Sequence, residues 1–314
     1  MTATDASAIS ARLAASVRQE RARERRALLR KIAGNGGLMV GGAILLVMVL
    51  CASIGVLIAQ DPLALEPTIR LQGPSAAHWF GTDGFGRDVF SRVVNGASIS
   101  LTIGVGVTAI AGVAGLVIGL YSAYYPRADA VLMRVCDALM AFPALLLAIA
   151  ITAALGPSTW NVILSLSVVF TPVVARVARA AALSVKQQVF VDSLQAQGSR
   201  SWRILWSNIL PNVVSPLIVQ ATFIFADSLI VEAALSFLGA GVPAPQPSWG
   251  NMLLEGKSVL FQAWWLTVFP GLAIMLTVLS ANLLGDGLRD LLDPHQRAIR
   301  PVFGFVRRER KAKT

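Results

Sequence analysis

The chain has 314 residues, 55% of them hydrophobic and only 14% charged, with a mean hydropathy of +0.66. A soluble domain of that length carries nearer a quarter charged residues, and the long apolar runs are continuous rather than alternating, which argues against a β-barrel. The formal net charge of +10 does not point to nucleic acid, because the basic residues gather at the two ends and in short loops, where membrane topology demands them. In chain order, residues 1–36 form a basic N-terminal tail, either a weakly amphipathic segment on the anionic inner leaflet through Leu13, Val17, Leu28 and Leu29 or a disordered topology anchor. Six apolar spans follow at about 37–59, 98–123, 136–155, 160–183, 213–238 and 263–285. Each is long enough to cross a hydrocarbon core about 30 Å thick, which takes roughly 20 helical residues. Residues 295–314 form a basic C-terminal tail. The expected fold class is all-α: a polytopic membrane protein with six transmembrane helices spread over residues 37–294.

Lysine and arginine set the orientation. Arg12 to Lys31 and Arg289 to Lys313 place both termini in the cytoplasm, as an even number of spans requires. Arg127, Arg134, Lys186, Arg200 and Arg203 fall in inside connections. Two outer connections, 60–97 and 239–262, are long and rich in Gly, Pro and Trp, and long loops of this kind tend to be functional. The first span begins too late and runs too long for a cleaved signal peptide, so it reads as a signal anchor that stays.

Catalytic chemistry finds little support. Cys51 and Cys136 sit far apart in or beside apolar segments and read as small buried hydrophobes. No Ser-His-Asp arrangement, pair of catalytic acids or metal-ligand cluster is visible. The stretch GTDGFGRD is Gly-rich but lacks the Gly-Lys-Ser/Thr end of a P-loop. Within it, Asp83, Arg87 and Asp88 either form an ion-pair cluster that shapes the outer loop or meet a soluble partner. Of the two histidines, His78 reads as interfacial and His295 as solvated. Asp227 and Glu232 lie inside the fifth span, where a carboxylate costs about 2.5–3.5 kcal/mol and usually faces a cavity or a partner. Five residues apart, they point about 140° from each other on a helix. Asp227 is the better candidate for a translocation path, and Glu232 has the alternative reading of a hydrogen-bonded anchor.

The polar break at 189–211, VFVDSLQAQGSRSWRILWSNILP, is the most informative segment. Phe190, Val191 and Leu194 give one apolar patch and Trp202, Leu205 and Trp206 a second. Gly198 permits a sharp bend between two short helices, and Pro211 suits the first turn of the next span. From the residues alone, this is either a docking knob or an ordinary interfacial connector.

The break resembles the cytoplasmic docking loop of ABC-importer permeases of the dipeptide, oligopeptide and nickel family. There a Glu-Ala-Ala run, a Gly and an Ile-Leu-Pro-Asn end recur. Here the acid is Asp192, followed by Ser193 and Leu194, then Gly198 and Ile209 to Asn212. The replacement of Glu by Asp and of Ala-Ala by Ser-Leu departs from the family pattern and leaves the spacing intact. Three other stretches resemble the C-type permease of that family: Gly81 to Gly96, Glu232 to Gly239, running on to Trp249, and Asn282 to Pro294. The resemblance implies a type I importer permease fold and a non-catalytic subunit in the cell inner membrane. The implied partners are a homologous B-type permease, two ABC ATPases that bind ATP and Mg, and an extracytoplasmic solute-binding protein. It further implies that this chain binds no cofactor, that the 189–211 loop docks an ATPase, and that the outer loop with Gly81, Asp83, Arg87, Asp88 and Trp249 meets the binding protein. Dipeptides and oligopeptides are the implied solutes, with nickel or another small solute as the alternative and an ATP-independent secondary transporter as the rival class.

Overall fold

The computed structural model describes residues 31–55 and 61–292. Nearly all of both basic tails, His295 and the end of the first expected span lie outside the described residues. Among the described residues, regular structure is helical, with one isolated antiparallel bridge between Thr82 and Asp88.

Helix α1 spans Gly36–Leu50 and runs into a π-helical turn, Cys51–Gly55. Its N-cap is Asn35, whose side chain accepts the Leu38 amide at 3.1 Å. Helix α2 spans Val89–Tyr124. Asp88 caps it by accepting the Ser91 amide at 2.7 Å. It stops where Pro126 forces Tyr125 out of the helical region, and that same proline opens α3, Pro126–Met140. Helix α4 spans Ala144–Leu155, helix α5 Thr159–Lys186 and the short α6 Val189–Ala196. Helix α7, Ser201–Phe237, contains a π-helical stretch at Ile204–Ile209. Helix α8 spans Trp249–Lys257 and α9 Trp265–Leu292. The outer connections read from the sequence therefore contain helix: 89–97 opens α2, and 249–257 is α8.

The expected third span, 136–155, is not one straight helix. Pro143 has no amide proton and disfavours helical backbone at Phe142, so α3 and α4 are bent by 96° at the break between them. Helix α4 alone reaches only about 18 Å at 1.5 Å per residue.

The tightest pair is α2 with α5, and glycine makes it possible. A Cβ built on Gly106 would stand 3.2 Å from Ile163, one on Gly115 2.5 Å from Val174, and one on Gly119 2.5 Å from Ala178. Small residues let two backbones approach this closely. The paired numbers rise together, so α2 and α5 run parallel. The chain must therefore recross between Tyr124 and Thr159, and α3 with α4 is all the helix it has there. Among the described residues, five helices are long and apolar enough to span on their own, and the bent pair supplies the sixth crossing. Helix α1 packs antiparallel on α9, where Gly41 meets Ser280 and Gly287 meets Leu38.

Candidate functional sites: a docking knob and an ion-paired cap

At one end of the bundle, α6 is closed by a Schellman motif. The Gly198 amide bonds to the Gln195 carbonyl at 2.9 Å and the Ser199 amide to Leu194 at 3.0 Å. This places Gly198 at φ +73°, a left-handed conformation that favours glycine. The chain then enters α7 directly, so the second short helix expected from the sequence is the first turns of the fifth span. The π-helical stretch joins them, and the side-chain amides of Asn208 and Asn212 bond to the carbonyls of Arg203 and Asn208 at 3.1 and 2.8 Å. Pro211 lies exposed on this continuous helix.

Each of the two apolar patches divides between faces. Val191 and Leu205 turn inward with Ile204 and Ile209, onto Leu120, Ala178, Ala182 and Val185. Phe190 and Trp202 turn outward, 39% and 63% exposed. Asp192 and Gly198 are exposed beside them, while Leu194 is half-buried. The Trp202 and Trp206 rings stack obliquely with centroids 5.1 Å apart. Polar contacts fix the base of the knob. Lys186 Nζ donates to the carbonyls of Ala123 and Tyr124 at 2.9 and 3.2 Å. Arg179 forms a two-point pair with Asp129 on α3, both contacts at 2.6 Å. The result is a rigid projection whose free face carries apolar groups together with Asp192, Arg200 and Arg203.

At the other end, Asp83 is the centre of a buried ion cluster. Its Oδ1 accepts the amides of Phe85 and Arg87 at 2.8 and 3.0 Å. Its Oδ2 accepts Arg87 Nε and Arg92 NH1, both at 2.6 Å. The two arginines also reach Glu255 on α8, Arg87 at 2.8 Å through NH2 and Arg92 through both of its terminal nitrogens. Two acids and two bases balance. Asp83 and Arg92 are each 1% exposed, a placement that only such pairing allows. Gly81 takes φ +77° and has no room for a Cβ, which would stand 2.6 Å from the Gln72 carbonyl and 2.8 Å from Trp265 Nε1. Trp249 Nε1 donates to the Val93 carbonyl at 3.0 Å. Asp88 caps α2 and also meets His78 Nδ1 at 3.0 Å.

These positions correct the reading of the outer loop as a contact surface. Gly81, Asp83, Arg87 and Trp249 are buried, and they weld the loop to α2, α8 and α9. The exposed large side chains of this end include Trp79, Phe85, Phe261 and Trp264. Sequence reading singled out Asp83 and Arg87, four residues apart, but missed Arg92 as their partner and Glu255 altogether, since nothing local links residues 163 positions apart.

Glu232 is buried and anchors the cap from below. It accepts Ser236 Oγ at 2.8 Å and Ser100 Oγ at 3.3 Å, while Ser236 Oγ also accepts the Val242 amide at 3.2 Å. Gly239, at φ +80°, ends α7 in a second Schellman motif. This geometry withdraws Glu232 from any open path. Asp227 is exposed on α7 instead. Cys51 and Cys136 are both free, Cys51 exposed and Cys136 buried. Among the described residues, no group of three or more His, Cys, Asp or Glu is placed to hold a metal ion.

A helical bundle with six crossings, a rigid projection at one end and a welded cap at the other defines a multi-pass membrane protein of the transport-permease class. The chain belongs to the family described as the binding-protein-dependent transport system inner membrane component, matched over residues 115–298. It is 45% identical over 266 residues to a putative peptide transport system permease of Brucella abortus, covering 84% of this chain and 90% of that one. It is 44% identical over 262 residues to a dipeptide transport system permease of Alkalihalophilus pseudofirmus, covering 83% and 86%. A glutathione transport system permease of Pectobacterium atrosepticum is 45% identical over 224 residues, covering 71% and 74%.

Proposed function

We propose that this chain is one of two transmembrane permeases of an ATP-driven importer for dipeptides and oligopeptides. It lies in the cell inner membrane with both termini cytoplasmic, and it does not itself catalyse. ATP and Mg bind two ABC ATPases, one of which seats the α6–Gly198 knob. A homologous B-type permease completes the path, and an extracytoplasmic binding protein delivers the solute to the cap end. Closure of the ATPases on nucleotide moves the knobs and turns the path outward; hydrolysis resets it.

The knob carries this reading. Its inner face is packed into α2, α5 and α7, so a push on its outer face moves the bundle instead of bending a loop. Its exposed Phe190 and Trp202, with Asp192, Arg200 and Arg203 around them, offer an apolar and mixed-charge surface to a soluble partner. The peptide substrate is supported by the relatives' names. The test is affinity purification of the chain from its native membrane in mild detergent. Recovery of P-loop ATPases and a second six-span permease is expected; recovery of the chain alone, with uptake intact, sinks the reading.

A further inference from the structure

The face of α7 that carries Asp227 differs from the open faces of α1 and α2. The exposed side chains of α1 and α2, such as Met39, Leu46, Val105 and Val113, are apolar and suit lipid. Asp227 is exposed, and among the described residues its carboxylate has no hydrogen-bond or ion-pair partner. It lies about 15 Å along the helix from the cap end at Phe237, close to the middle of a hydrocarbon core about 30 Å thick. An ionisable group at that depth faces water, a substrate or a partner. Gln220 precedes it by seven residues, so the two stand within about 20° on one stripe. Toward the knob end, the stripe opens into a cleft of about 380 Å³, lined by Ser215, Gln220 and Phe223 of α7, Val177 of α5 and Arg289 of α9.

We infer that this stripe is the chain's share of the path, and that Asp227 is a specificity residue that holds the α-ammonium group of a passing peptide. The inference rests on the peptide-import reading. Peptides of any sequence share a terminal ammonium, so one carboxylate at mid-depth serves them all without reading side chains. Arg289, at the mouth near the knob, supplies the opposite charge for the terminal carboxylate on the way out. Alternation of sign along the stripe lets a zwitterion move on without a deep trap at either position.

The complete complex in proteoliposomes, with its binding protein and ATP, tests this using a tripeptide with a free amino terminus. Asp227→Asn is expected to lower turnover at least tenfold while the KM for loaded binding protein stays unchanged, ATP hydrolysis continues and the ATPases still copurify. Asp227→Glu is expected to restore turnover to within about threefold. Unchanged turnover in Asp227→Asn overturns the assignment alone. Loss of the sister permease or the ATPases from the Asp227→Asn complex also overturns it, since that marks a fixed ion pair between subunits. A wild-type complex that imports no peptide overturns the import reading together with this one.

Discussion

Lys186 Nζ stands 2.9 Å from the carbonyl oxygen of Ala123, and so ties the end of α5, where the knob begins, to the end of α2. The last carbonyls of a helix have no partner within it and carry its negative dipole end, where a cation is favourable by about 1 kcal/mol. Replacing Lys186 with Met is expected to lower the melting temperature of the detergent-solubilised subunit by a few degrees and to reduce import per ATP hydrolysed. Lys186→Arg is expected to keep both. An unchanged melting curve for Lys186→Met disproves the tie.

Gly198 separates docking from folding. A side chain there meets nothing within 4 Å in this chain, so its cost inside the subunit is the left-handed backbone, about 1–2 kcal/mol and less for Asn. Gly198→Asn is therefore expected to dock and transport nearly normally. Gly198→Arg is expected to insert into the membrane, lose the copurifying ATPases and abolish transport. Loss of membrane insertion in the Arg variant instead would remove the docking role.

The α2–α5 contact behaves oppositely. Leucine at Gly119 must displace the Ala175 carbonyl and Ala178, which a Cβ alone would approach to 2.6 and 2.5 Å. Gly119→Leu is expected to destabilise the subunit so far that it is degraded in the membrane. Gly112 has open space, with nothing within 4 Å, so Gly112→Ala is expected to accumulate normally. Immunoblotting of membrane fractions compares the two.

Removing one member of a buried ion cluster leaves one charge uncompensated, at about 3–5 kcal/mol. Asp83→Ala, which leaves Arg87 and Arg92 to share the single carboxylate of Glu255, is expected to loosen the cap and raise protease sensitivity between residues 61 and 88. Phe85→Ala, on an exposed side chain beside it, is expected to leave the fold intact. Limited proteolysis of spheroplasts, in which the outer face is accessible, reads the difference.

Glu232 is expected to tolerate Gln, whose carbonyl accepts from one of the Ser100 and Ser236 hydroxyls while its amide NH2 donates to the other, and to fail as Ala, which leaves both hydroxyls short of a partner in a buried site. Transport and thermal stability should fall together in the Ala variant. A change in substrate preference at constant stability would return Glu232 to the path.

The spans were legible from hydropathy, and α5 falls within a few residues of expectation at both ends, while α9 starts where expected and runs on to Leu292. The bend at Gly198 was legible from one residue between two short patterns. The break in the third span was less so. Pro143 stands in plain view, but proline inside an apolar run is common in membranes and rarely turns a helix through a right angle. Which way a side chain points in the outer loop was not legible, because burying Arg92 depends on Glu255 from a distant helix. The same holds for Glu232, whose anchor Ser100 lies 132 residues away. A carboxylate in an apolar run signals something special; only packing tells whether it is sealed or open. For Asp227 the packing leaves it open.

Helix α2 is 36 residues long, about 54 Å at 1.5 Å per residue, well beyond the thickness of the hydrocarbon core. One of its ends is held in the cap through Arg92, the other beside the knob through Ala123. It is thus a single oar through the membrane. A tilt of about 10° about one end sweeps the far end by roughly 9 Å, so a small stroke below the bilayer reaches the opposite surface within one stiff body, with no chain of loosely coupled contacts in between to absorb it.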